Sequence, residues 1–208
     1  MLSDNVEKQD NSIIKLVLQE ILSRVITISG CQGASIRLRK NGDFPFVVHS
    51  GIPDFFVLKE SSLLVRDEKD QIVHDQHGPK LSECMCRNVI RGHYNPAFPF
   101  FSKRGSFWTN STTLLLSNIT EKQRNFVGPT RNLCNYSGYE SVALIPLKNE
   151  RNIIGLVHLV DPREKMFTVE KIATLELVAE ESAAIIKCAE EIVERLSDID
   201  NVSSASKD

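Results

Sequence analysis

The sequence predicts an α/β sandwich with a mainly antiparallel central sheet, and three observations carry that prediction. An alternating segment, Ala34 to Arg39, runs into Asn41-Gly42, whose two residues accept the positive φ that a tight hairpin turn requires. Two runs apolar on both faces, Ser141 to Lys148 and Ile153 to Val160, flank a polar four-residue turn late in the chain. Helical periodicity brackets both hairpins, so a helical layer on a sheet is the simplest way to bury every apolar face.

The elements follow in order. Ile13, Leu16, Val17, Ile21, Val25 and Ile28 recur at steps of three and four, which predicts a helix over 12–29, capped by Asn11 or Ser12 and stopped by Gly30. In the first strand Ala34, Ile36 and Leu38 alternate with Ser35, Arg37 and Arg39, the pattern of a strand with one wet face. Residues 44–50 return as its partner, 53–63 form a short helix, and 66–80 form a charged loop. Pro146 lacks an N–H for the ladder, so a bulge or one-sided pairing is expected beside it. After the possible cap Thr168, a last helix carries the seam Ile172, Leu175, Ala179, Ser182, Ile186, Ala189, Val193 and Leu196, with a second apolar line at Val178, Ile185 and Ile192. So broad a stripe serves core packing, and its distal end is free to pair with the first helix or with another subunit.

Composition narrows the function. The 208 residues carry 25 Lys and Arg against 27 Asp and Glu, a net charge of −2, which argues against general nucleic-acid binding. No apolar run reaches the length of a membrane span, and the polar, acidic start shows no signal peptide, so a cytoplasmic protein is expected. Five cysteines without a secretory signal make a disulfide framework improbable. Phosphate-binding loops, nucleophile elbows and kinase catalytic motifs are absent from the sequence, which lowers the odds of an enzyme.

The pocket is expected within 79–139, a stretch with four prolines, the only Trp, three of the five cysteines and many aromatics, but no long periodic element. Cys84, Cys86 and Cys134 are its candidate chemical groups. Thiolates bind zinc, iron–sulfur clusters or haem iron, and neighbouring thiols form redox disulfides; buried thiols without a metal are the plainer alternative. Cys84 and Cys86 converge only where the chain is not helical. His93, and less so His49, are the candidates to complete a metal site, although no ligand pair has zinc-finger spacing. Arg131, with Asn132 and Arg124 nearby, suits an anionic ligand at a rim, while Trp108, Phe107 and Tyr139 suit either stacking on a planar ligand or core filling. His74 and His77 lie in a polar loop, and His158 lies in an apolar strand, as a core or pocket-facing histidine.

Three segments resemble a known family. Gly138-Tyr139-Glu140-Ser141-Val142-Ala143-Leu144-Ile145-Pro146-Leu147, then Ile153-Ile154-Gly155-Leu156-Val157-His158-Leu159, then Phe167-Thr168 opening a helix, resemble the second half of a GAF domain. Residues 83–90, 105–110 and 131–135 are similar to a cysteine-bearing GAF subgroup of microbial, including methanogen, sensor histidine kinases. The resemblance implies a six-stranded antiparallel sheet, N- and C-terminal helices on one face, a ligand pocket on the other, and a homodimer through the first and last helices. The resemblance covers roughly 12–195 and implies a sensory module over 12–197, while composition makes residues 1–11 a flexible polar arm and the Ser-rich 198–208 a disordered tail. Its input is a small molecule or redox state, its output partner a histidine kinase or other signalling protein. Haem attached through a cysteine occurs in related methanogen sensors, although Cys-x-x-Cys-His is absent here. The alternatives are a thiol enzyme of the free-methionine sulfoxide reductase type and a ligand-free dimerisation scaffold.

Overall fold

Two hairpins and one short strand build the central sheet in the computed structural model, which describes residues 2–76, 78–80, 83–150 and 152–205. The first hairpin pairs β1 (Gly33–Leu38) with β2 (Phe46–Ser50). Asn41 and Gly42 adopt φ of 51° and 81° at its turn, the positive values read from the dipeptide. The second hairpin pairs β6 (Ser141–Asn149) with β7 (Asn152–Asp161). β5 (Phe107–Thr109) adds to β6, giving the order β2-β1-β7-β6-β5, antiparallel throughout. The sheet therefore has five strands rather than six. The segment after the first hairpin folds on itself instead, as β3 (His74–Asp75) against β4 (Gly78–Pro79).

Helices α1 (Leu2–Ser29) and α7 (Val169–Ala205) cover the back of the sheet. They run antiparallel, with the Lys171 ammonium donating to the Ser29 carbonyl and Arg24 paired with Glu181 at 3.0 Å. Gly30, at φ 67°, ends α1, and the Thr168 hydroxyl caps α7 by accepting from the Lys171 N–H. Both helices run beyond the periodic segments, into 2–11 and 198–205, where the sequence reading places an arm and a tail. Ala34, Ile36, Ala143, Ile145, Val157 and Leu159 point from the sheet into Leu18, Ile21, Val25, Leu175 and Ile186, one continuous apolar core.

The front is covered by short helices: α2 (Asp54–Glu60), α3 (Met85–Ile90), α4 (Thr112–Asn118), α5 (Glu121–Val127) and α6 (Leu133–Tyr136). The alternation in β1 therefore has a different meaning from the wet face it predicts. Ser35 and Arg37 are completely buried, because α2 lies over the front face. Pro146 pairs with Leu156 of β7, while β5 ends opposite Leu144, so β6 has a neighbour on one side only at the proline; the ladder shifts register just after it, at Leu147/Lys148. Both features satisfy the constraint that a missing N–H imposes.

Gly155 sits where β1 comes closest to β7. A Cβ there lies 2.0 Å from the Arg37 carbonyl oxygen, a backbone atom that cannot swing away. Gly155→Ala is expected to destabilise the protein by about 3 kcal/mol, the upper part of the overpacking range, read as a lower midpoint in urea unfolding.

Candidate functional site

The front face of the sheet presents Phe46, Arg37, His158, Leu144, Val142 and Phe107, because alternate residues of each strand point the same way. Short helices close over them and leave a cavity of about 80 Å³. Glu60, Cys84, Cys86, Asn132, Cys134 and Phe107 are among its walls.

Each cysteine is placed by a local device. Cys84 is the residue before α3 and has extended φ/ψ of −150° and 153°, while Cys86 lies in the helix. That break meets the condition for two thiols two residues apart to converge, and Cys84 and Cys86 line the same cavity. Asn132, left-handed at φ 53°, turns the chain into the single turn of α6 and carries Cys134 inward. The Arg131 N–H donates to the Glu83 carbonyl at 2.9 Å, which ties the 83–86 segment to the 131–134 segment. The Asn88 side chain donates to the Val127 carbonyl at 2.8 Å and holds α3 against the end of α5. Glu140 anchors the start of α4 by accepting from Ser111 and Thr113 hydroxyls.

A buried charge cluster lies beside the thiols. Arg37 donates to the Phe44 carbonyl at 2.7 Å and to the Glu60 carbonyl, and its guanidinium lies 3.6 Å from the Glu60 carboxylate and 3.6 Å from the Phe46 ring centre. Arg131 reaches the other Glu60 oxygen at 2.8 Å from the rim. Burial pushes the Glu60 carboxyl up against the pull of Arg131 and Arg37.

The thiols differ sharply. Interaction with the neighbouring Cys86 thiol outweighs burial and, with help from Arg131, lowers Cys84 to about 7. Interaction with Cys84, with burial, raises Cys86. Burial, then the nearby Cys84 and Glu60 charges, raise Cys134. Cys134 Sγ lies 3.6 Å from His158 Nε2, but burial and the neighbouring Arg37 hold that imidazole down at about 3, so the contact joins a neutral thiol to a neutral ring. Cys84 is therefore the most readily ionised of the three thiols, and the thiolate is the reactive form of a cysteine.

The sequence-derived candidates separate accordingly. Cys84, Cys86 and Cys134 come together, and Arg131 joins them through Glu60. Tyr139 is buried edge-on against Phe56 and donates its backbone N–H to the Cys134 carbonyl, a supporting position outside the cavity wall. Trp108 points to the back of β5, away from the thiols, because Phe107 takes the front position. His93 stacks on Phe126 and contacts its carbonyl, so it does not reach the cysteines. His49 and His74 are exposed, Arg124 is exposed on α5, and His77 lies outside the described residues. Arg37, Glu60 and His158 complete the site. Glu60 was marked by its spacing of four from the buried Phe56; Arg37 had no local signal.

Neither an iron–sulfur cluster nor haem fits these residues. A cluster takes four thiolates, whereas Cys31 is buried on the back and Cys188 is exposed on α7. Among the described residues, no group of three His, Cys, Asp or Glu is placed to hold a metal ion. The cavity is about half the roughly 150 Å³ that benzene fills in an engineered protein core, too small for a macrocycle.

Alkylation tests the thiol hierarchy. In protein carrying Cys188→Ser, Cys84 is expected to react with iodoacetamide along a pH profile with its midpoint near 7, while Cys86 and Cys134 stay unmodified until the protein unfolds. Cys86→Ala is expected to move that midpoint upward; peptide mapping by mass spectrometry reads both.

No protein-family model matches the chain, and no curated protein matches it. Solved structures do. A domain of a protein assigned as a two-component sensor histidine kinase from Sinorhizobium meliloti aligns at TM-score 0.54 and 14% identity, over 86% of this chain and 94% of that one. The GAF domain/HD domain protein of Geobacter sulfurreducens aligns at 0.55 and 14%, over 85% and 94%. The PixJ GAF domain of Thermosynechococcus elongatus, in its blue-light absorbing form, aligns at 0.55 and 10%, over 92% and 95%. With an antiparallel sheet, helices behind it and a cavity in front of it, this chain has the GAF fold.

Proposed function

We propose that the chain is a sensory and regulatory module whose input is oxidation of Cys84 and Cys86 to a disulfide and whose output is a change in a helical homodimer. The observation that carries the reading is the convergence of two thiols, Cys84 and Cys86, on the wall of one small cavity. In the oxidation by hydrogen peroxide, the Cys84 thiolate attacks one oxygen, the O–O bond breaks, and the leaving hydroxide takes a proton from solvent to become water, leaving a sulfenic acid on Cys84. Cys86 then attacks that sulfur, forming the disulfide and a second water. The enzyme alternative is less well supported, because free methionine sulfoxide is too large for a cavity of this size. A reducing cytoplasmic setting suits five free cysteines.

A route to the output helix runs around the β5 edge. Phe107 lines the cavity, and the neighbouring Ser106 hydroxyl donates to a Glu176 carboxylate oxygen on α7 at 2.6 Å; Ser102 donates to the same oxygen at 2.5 Å. Farther along α7, Ile185, Ile192 and Leu196 are 44–49% exposed. Ile185 and Ile192 belong to the second apolar line and Leu196 ends the seam; core packing leaves all three exposed, and a second copy is the partner we assign to them. A histidine kinase or another signalling protein is the proposed recipient of the change. No described helix is long and apolar enough to cross a membrane.

Peroxide treatment is expected to remove two hydrogens from the intact mass, an effect lost in Cys84→Ser and in Cys86→Ser. Sedimentation equilibrium is expected to show dimer affinity changing at least fivefold between the two forms, the lower end of ordinary allosteric coupling. A chain that stays monomeric in both forms refutes the dimer output. Ser106→Ala is expected to preserve disulfide formation while reducing the affinity change, which separates transmission from sensing.

A further inference from the structure

We infer that the Cys84–Cys86 pair exchanges with an anionic low-molecular-weight thiol/disulfide couple held in the basic cleft beside it. This rests on the redox reading above and names its co-reactant. The thiol cavity, at about 80 Å³, is too small to enclose a disulfide, so such a co-reactant must approach from outside. A second, open cleft of about 420 Å³ lies there, lined by Leu64, Val65, Arg66, Lys80, Glu83 and Arg131. That volume falls in the range of roughly 300–1,000 Å³ typical of small-molecule sites.

The two spaces share a wall. Arg131 lines the cleft and Glu60 lines the cavity, paired at 2.8 Å, while Glu83 of the cleft directly precedes Cys84 of the cavity. Cys84 is partly exposed, unlike the buried Cys86. Three cationic side chains and one carboxylate line the cleft. Arg66 is held by Asp70, through its carbonyl at 2.7 Å and its carboxylate at 3.7 Å, and Arg131 by Glu60. Counting these partners and Arg37, four cations stand against three carboxylates, so a positive excess remains. Guanidinium groups suit carboxylates on the incoming molecule. The apolar Leu64 and Val65 suit its carbon chain.

The exchange balances without another reactant. The Cys84 thiolate attacks one sulfur of the disulfide, the S–S bond breaks, and the electron pair leaves on the far sulfur as a thiolate that takes a proton from water. Cys86 loses its proton to solvent and attacks the Cys84 sulfur, forming the protein disulfide and releasing the second small thiol. One external disulfide is reduced to two thiols, and two protein thiols are oxidised. The reverse sequence resets the pair.

The test uses three small disulfides of similar size on the reduced full chain carrying Cys188→Ser: dianionic 3,3′-dithiodipropionate, neutral bis(2-hydroxyethyl) disulfide and dicationic cystamine. A bare thiolate repels a dianion, so the anionic reagent reacting fastest is diagnostic of the cleft. At low salt, the anionic reagent is expected to oxidise the Cys84–Cys86 pair about tenfold faster than cystamine, with the preference shrinking in about 1 M salt. The double variant Arg66→Gln/Lys80→Gln is expected to slow the anionic reagent at least threefold and leave the neutral one unchanged. An anionic rate below the neutral rate, or a double variant whose anionic rate is unchanged, overturns the inference. If peroxide still forms the Cys84–Cys86 disulfide in that case, only the co-reactant assignment falls. If neither reagent class forms it, the redox reading falls with it.

Discussion

Arg37 puts a full positive charge on the covered face of a β-sheet, where desolvation is costly and breaking a pair costs about 3–5 kcal/mol. The front layer is arranged around that demand. The Phe44 carbonyl, the last turn of α2 and the Phe46 ring supply the partners, and Glu60 supplies the countercharge. Once Glu60 is held inside, Arg131 is drawn to its free oxygen, and the Arg131 backbone in turn fixes Glu83 beside Cys84. One buried guanidinium thus sets the position of α2, of the turn before α6 and of the reactive thiol. Burial, reinforced by that guanidinium, keeps His158 neutral, which leaves Cys134 a neutral, partly exposed thiol instead of half of an ion pair.

The sheet separates two interiors of different character. Its back face meets only apolar helix residues, while its front face carries Ser35, Arg37 and His158 among aromatics. Strand alternation makes this possible, since Val157 and Leu159 enter one core and His158 enters the other. Contact between the front layer and α7 passes around the sheet instead of through it. The three-residue length of β5 leaves room for the 102–106 loop to bend back, so Ser102 and Ser106 meet the buried Glu176.

Much of the back layer was legible because its signals are periodic: the steps in 12–29, the Asn41-Gly42 turn, the two apolar runs and Thr168 all have the roles that their chemistry gives them. The front layer was not, since short helices leave too few turns to show a period. The clustering of cysteines and aromatics still pointed to the segment whose three thiols line the front cavity. Trp108 shows the limit: in a three-residue strand, one step decides which core a side chain enters, and nothing local distinguishes it from Phe107. Arg37 misled for a related reason. Alternation reports that a strand has two faces, but a face covered by polar partners reads like one covered by water.

The shortness of β5 has another consequence. Beyond it, one side of β6 has no strand neighbour from Ile145 onward, an open ladder of the sort that recruits strands from other molecules. Pro146 lies at the start of that gap with no N–H to offer, and Lys148 folds its ammonium onto the Arg104 carbonyl across it. The open stretch is thereby a poor template for growth by strand addition, which guards the molecule against sheet polymers.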